Sequence, residues 1–153
     1  MDDFKAEISY VEVQNVVGIL QHRGEDLPHD ILGAVGEAMV TQVLDVFETE
    51  GFGEWPELAD STLERRMHGP RGSSNPKILQ DTGLLVGSIT YEVVEDQALA
   101  FTNVPYGIYH TSRAPRTKLP LRDFLAIDEA FFERDVIDMI DTYMMRALPR
   151  AAE

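Results

Sequence analysis

Apolar positions recur along this chain with two different periods, and the periods mark out its elements. Near the N-terminus Phe4, Ala6, Ile8 and Tyr10 alternate with Lys5, Glu7 and Ser9, a two-residue period that predicts a strand. Residues 11–22 place Val13, Val16, Val17 and Leu20 on one face and predict a short helix ending before Gly24. Pro28 suits a first helical turn, where its fixed φ is already helical and its missing N–H would have no partner anyway. Beyond it Ile31, Val35, Ala38, Met39, Gln42, Val43 and Val46 share a face. That spacing predicts a long helix running to about Glu50 and stopping at Gly51.

The middle of the chain is punctuated by turn formers. Gly51, Gly53 and Pro56 make residues 51–60 a loop. Ser61-Thr62-Leu63-Glu64 fits an N-cap with Glu three residues on, which predicts a short helix over 62–67. Gly69, Pro70, Gly72, Ser73, Ser74, Asn75 and Pro76 crowd residues 68–76 and predict a long mobile arm. Asp81-Thr82-Gly83 opens another short helix or turn. Residues 88–95 and 98–104 read as two strands joined by a tight turn at Glu95-Asp96-Gln97. A helical turn is predicted over 106–111, then a second long loop over 113–121 with Pro115 and Pro120. The last element is a helix over 128–148: Phe132, Val136, Met139, Ile140, Tyr143 and Ala147 form one face, Glu133, Asp138 and Asp141 lie largely opposite, and Pro149 ends it.

The order strand, helices, hairpin, helix predicts a single α+β domain over residues 1–153. It would hold a small, mainly antiparallel sheet packed by two long helices, with long loops or arms. An isolated hairpin is marginal in water, so the N-terminal strand is expected to join it. A chain of 153 residues is long enough for a real core. A hydrophobic content of 44% and a charged content of 26% are ordinary for a soluble domain. Cys is absent, which removes disulfides, thiolate metal sites and a Cys nucleophile. Met1-Asp2-Asp3-Phe4 lacks the features of a signal peptide, and no apolar run is long enough to span a membrane. Synthesis in the cytoplasm and no membrane partner are the expectations.

Charge changes the picture more. The formal net charge is −14, which disfavours general binding to nucleic-acid phosphates and favours basic partners. The excess acid is not evenly spread. Arg65, Arg66, His68, Arg71 and Lys77 follow one another without an intervening acid, and so do Arg113, Arg116, Lys118 and Arg122. Two basic loops on an otherwise acidic domain either are ordinary solvated loops or let an acidic face of one copy meet a basic face of the next.

Candidate chemistry is thin. His22, His29, His68 and His110 make neither an i, i+4 metal pair nor an HExxH spacing. Glu25-Asp26 and Asp128-Glu129 sit beside predicted helix starts, where the helix dipole favours carboxylates, so a structural role outweighs an acid–base one. Ser73-Ser74 lies among glycines but outside any GxSxG, GxxxxGK[ST] or GxGxxG pattern. No metal, cofactor or catalytic residue is expected. Trp55, the only Trp, either folds back to cap the core or anchors an interface. Tyr106, Tyr109 and His110 pose the same choice: core packing after the hairpin, or an inter-subunit contact.

Four short blocks carry a resemblance. They are Trp55-Pro56-Glu57-Leu58 with Ser61-Thr62-Leu63-Glu64-Arg65-Arg66; Ile78-Leu79-Gln80-Asp81-Thr82-Gly83-Leu84-Leu85 with Ser88-Ile89; Pro105-Tyr106-Gly107 with His110; and Pro120-Leu121-Arg122-Asp123-Phe124-Leu125. In order and spacing they resemble the virion morphogenesis (tail-completion) family of tailed bacteriophages. Two details depart from its pattern. Gly107 stands where the family often has Ala, and His110-Thr111-Ser112 stands where His is commonly followed by a polar residue and Gly. The resemblance implies a structural, non-catalytic protein of the virion, made in the host cytoplasm. It would act at the head–tail junction or top of the tail as a tail-completion or tail-terminator ring, commonly a homo-hexamer. Its implied partners are the tail tube and the neck or connector proteins, with DNA passing the lumen without specific binding. A head-completion or connector ring is the alternative, followed by an assembly chaperone or adaptor and a small metal-dependent hydrolase using carboxylates and His110. On the ring reading the expected contact residues are Trp55, Arg65, Arg66, Arg71, Lys77, Tyr106, His110, Arg113, Arg116, Lys118 and Arg122. The blocks are expected to form edges and arms rather than a pocket.

Overall fold

The computed structural model describes residues 29–70, 73–95, 97–113, 118–126, 128, 130 and 132–147. The strand predicted at Phe4 to Tyr10 and the helix predicted over 11–22 lie outside them. A long helix, α1, covers His29–Glu48. Ile31, Leu32, Val35, Met39, Val43, Val46 and Phe47 are buried at its three- and four-residue spacing. Each such side chain contributes roughly 1.5–3 kcal/mol on burial, so this one face supplies a large share of the core. The helix stops where glycine predicted it, by a different device. Gly51 N–H donates to Val46 O at 2.8 Å and Glu50 N–H to Phe47 O at 3.3 Å, the two bonds of a Schellman motif. The left-handed residue this requires is Glu50, at φ 53°, one position before the expected glycine.

The chain then reverses and lays Trp55 back over the helix end. A Cβ on Gly51 would fall 2.3 Å from Trp55 Cδ1, so only glycine admits the indole there. The second helix, α2, covers Asp60–His68. Its expected Ser61 cap is not formed. Ala59 is the cap residue, without a side-chain cap bond, and Thr62 and Leu63 N–H groups bond to Ala59 O at 2.8 and 3.1 Å. Asp60, in the first turn, supplies the negative charge that the helix N-terminus favours.

Thr82 Oγ1 accepts from Leu84 N–H at 3.3 Å, and Gly83 takes φ 75°; together they start the short helix α3, Leu84–Gly87. Strands β1, Thr90–Val94, and β2, Gln97–Phe101, pair antiparallel with Thr90 opposite Phe101 and Val94 opposite Gln97. Both are shorter than the hydrophobic runs suggested, because the closing pair comes early and Glu95 turns left-handed at φ 55°. Among the described residues the sheet has these two strands. α1 packs across both. Ala98 and Ala100 are buried and small, and Tyr91 lies flat on Gly36, where a Cβ would meet its ring at 2.2 Å.

A 3-10 turn, Pro105–Gly107, leads into α4, Ile108–Thr111, which gives the helical turn predicted for this stretch. The last predicted helix is not uniform. Phe132–Ile137 winds as a π-helix and Asp138–Ala147 as a regular helix, α5. Val136 and Ile140 point into the core, and Met139 and Tyr143 pack against it. The architecture is therefore α+β, with α1 as the one long regular helix among the described residues.

Candidate functional site

Two arginines organise the region beside the core. Arg122 is buried, and its Nε and Nη2 donate to Pro56 O at 3.2 and 2.7 Å. Nη2 also donates to Glu57 O at 3.2 Å, and the Arg122 backbone N–H to His110 O at 3.0 Å. Burial first, and then the neighbouring Arg66, push its guanidinium pKa down, while Glu50 opposes the shift. An arginine so placed stays charged, because its ordinary pKa lies far above neutrality.

Arg66 is buried on the inner side of α2. Its Nη1 donates to Asn75 O at 3.2 Å and Lys77 O at 2.6 Å, and its Nε lies 3.7 Å from Asp81 Oδ1. Its own carbonyl accepts from Ser74 N–H at 3.1 Å. Asn75 ties the same stretch further, donating to Gln80 O at 2.8 Å and accepting from Lys77 N–H at 2.9 Å. Asp81 takes a bond from Ser73 Oγ at 2.8 Å and two from Arg65 at 3.2 and 3.3 Å. The Ser73 bond, then Arg65 and Arg66, hold its carboxyl below the ordinary value of 3.8 against the opposing effect of burial. The mobile arm expected over 68–76 is thus corrected where it is described: residues 73–77 are pinned to α2 and to Asp81 by polar bonds. Gln80 Nε2 and Ile78 N–H extend the docking to α1, donating to Phe47 O at 3.0 Å and Glu50 Oε1 at 2.7 Å.

Between these segments lies a cleft of about 500 Å³. Leu58, Leu79, Leu84, Leu85, Tyr106 and Leu119 supply apolar surface; Thr62, Arg66, Asp81, Thr82, His110 and Arg122 supply polar surface. The expectation that the motif blocks make no pocket is corrected by this cleft. Every one of the four contributes to this cleft, and they bond to one another. Block four grips block one through Arg122 and Pro56. It grips block three through Arg122 and His110. Block two meets block one through Asp81 and Arg65, and Ser88 Oγ lies 2.6 Å from Thr102 Oγ1 just ahead of block three. Phe124 completes the junction, with its ring 5.1 Å from that of Phe47.

The expected contact residues divide accordingly. Arg66 and Arg122 are buried in the cleft and direct donors to carbonyls of their own chain, because a guanidinium can bond several backbone oxygens at once. Trp55 is half-buried, with its ring edge-on to Phe47 at 5.9 Å, which is the core-capping alternative. Arg65 faces Asp81, Lys77 Nζ lies 2.6 Å from Glu48 Oε2, and Arg113 Nη2 lies 3.7 Å from Asp123 Oδ2. Tyr106 and His110 line the cleft; Lys118 is exposed close by in sequence. Arg71 and Arg116 lie outside the described residues. Asp128 Oδ1 accepts from Ala130 N–H at 3.3 Å, a local turn bond in keeping with its structural reading.

Sequence reasoning missed Glu50, Asn75 and Asp81. Asp81 has a local signal, since Ser73 and two arginines lie within reach of a folded loop. Chemically the polar side of the cleft sets two buried guanidiniums, which can bond an anion, beside Asp81, which is held ionised by donors rather than tuned as a base near neutrality. Among the described residues no three His, Asp or Glu side chains converge to hold a metal ion, and no helix is long and apolar enough to cross a membrane. Compared with protein-family models, with curated proteins and with solved structures, the chain matches none.

Proposed function

We propose that this chain is a structural subunit of a tailed-phage particle at the head–tail junction or the top of the tail. Identical copies close into a ring, commonly of six, that completes the tail and joins it to the neck. The observation that carries the reading is the set of four motif blocks, in order and at the spacing of the tail-completion family, between residues 53 and 125. The mutual bonding of those blocks supports treating them as one unit. The paired or exposed basic side chains at its rim, on an acidic chain, suit contacts between copies. The role is assembly, with no catalytic residue and no cofactor. A head-completion or connector ring uses the same features and differs in the partner it meets.

The experiment is to mix the purified chain with isolated tail tubes and image them by electron microscopy. Rings seated on one end of each tube are expected. Particles bound only at the neck face of filled heads would move the assignment to a connector. A chain that stays strictly monomeric, and decorates neither, would end the ring reading.

A further inference from the structure

The cleft combines two features that a self-sufficient core has no use for. Its mouth is apolar and exposed: Leu84 is 59%, Tyr106 40% and Leu119 40% accessible. Its polar side carries two buried guanidiniums with the Asp81 carboxylate beside them. Among the described residues Arg66 Nε has no hydrogen-bond partner and lies 3.7 Å from Asp81 Oδ1. Asp81 does not neutralise the pair, because it also answers Arg65 and Ser73. A site of this kind favours a carboxylate flanked by an apolar side chain, since the guanidinium fork bonds carboxylates and the leucine rim excludes water from them.

The chain itself presents such a group elsewhere. On α5 the outward stripe is Asp138, Asp141 and Met145, spaced three and four residues apart and all exposed, with Met145 76% accessible. It is an acidic stripe ending in the most exposed large hydrophobic residue among those described. We propose that the Arg66–Arg122 cleft receives the Asp138–Asp141–Met145 stripe of a second copy of this chain. The contact joins two different surfaces of identical subunits, which is the head-to-tail arrangement that closes into rings. The inference rests on the ring reading and names the surfaces that make the ring.

The test is sedimentation of the wild type, of Leu84→Asp and of the double variant Asp138→Lys/Asp141→Lys over a range of concentrations. All three substituted side chains are exposed, so unchanged melting temperatures should confirm folding. Leu84→Asp sets a like charge at the cleft mouth, and the double variant reverses the stripe. Each is expected to raise the assembly midpoint at least tenfold. Mixed together, they should form two-copy complexes and nothing larger, since the mixture holds one intact cleft and one intact stripe per pair. If the wild type assembles and either variant does so at the same midpoint, this pairing of surfaces is wrong while the ring reading stands. If the wild type is monomeric throughout, with or without tail tubes, the ring reading itself falls and takes the pairing with it.

Discussion

Along α1 the buried side chains, Gln42 apart, are apolar, among them Ile31, Val35, Met39, Val43 and Phe47, and removal of apolar surface from water is what holds them. Around the cleft the buried side chains include Arg66, Thr102 and Arg122, and what holds them is a set of bonds to groups far away in sequence. Hydrophobic burial is non-directional and tolerates small shifts. Polar bonds in a dry site fix atoms to a few tenths of an ångström, and they cost most when one partner is lost. The first region is therefore enough to make a domain, while the second shapes a particular surface on it.

The comparison breaks first at Phe124, where the two regions meet. Phe124 is fully buried between Phe47 and the Gly107 turn. Phe124→Ala should cost about 3–5 kcal/mol by chemical denaturation, as large-to-small changes at sealed aromatic positions do. A loss below about 1 kcal/mol, within the range of surface substitutions, would mean that the cleft is not built on the core.

Arg122 separates charge from geometry. Arg122→Lys keeps the charge but loses the second donor, Nε, and the planar fork that hold Pro56 O, so it should cost about 1–3 kcal/mol through weakened bonds to the loop carbonyls. Exchange of the amides at 54–58 should rise with it. A lysine variant as stable as the wild type would show that positive charge alone is what this position needs.

Gln42 reverses the expected sign. It is buried on the apolar face of α1, and among the described residues its amide atoms have no hydrogen-bond partner. Gln42→Leu should leave stability unchanged or raise it by about 0.5–2 kcal/mol, because it replaces an undersatisfied polar group with an apolar one of similar size. A marked loss in the denaturation midpoint would place a partner for the amide elsewhere in the chain.

Asp81 makes the cleft region pH-sensitive. Its folded pKa is depressed, so its contribution is fully present above the ordinary aspartate value of 3.8 and is lost as pH falls through the lower folded value. Amide exchange in 73–81 should accelerate in that window more than exchange in 35–47, and Asp81→Asn should abolish the difference. The smallest effect is expected at Gly107, where an alanine Cβ would lie 3.1 Å from Thr102 Cγ2 and 3.4 Å from Leu85 Cδ1. The entropic gain of roughly 0.4–1 kcal/mol from a Gly-to-Ala change is offset by that crowding, so Gly107→Ala should melt within a few degrees of the wild type.

The two regions were not equally legible. Apolar spacing located α1 because a helix face is a local property, and turn residues located the hairpin for the same reason. Ends were harder: the left-handed turn begins at Glu50, one residue before Gly51, and Ala59 rather than Ser61 caps α2. A cap depends on which backbone groups remain unbonded, and residue type only biases that. The C-terminal apolar face was read correctly at Val136 and Ile140, while the π-helical winding before α5 left no trace in the spacing. The cleft was illegible for a different reason. Arg122 meets Pro56 across 66 positions and Arg66 meets Lys77 across a loop, and neither pairing leaves a periodic signal. Buried arginines read along a chain look like solvated ones.

Hydrogen exchange compared between dilute and assembled protein tests most directly whether the second region is a contact surface. Assembly should add protection at 84–87, 105–111 and 138–146 and leave 31–47 as it was. Protection gained instead along the outward side of α1, around Glu37, Leu44 and Glu48, or at none of these places, would contradict it.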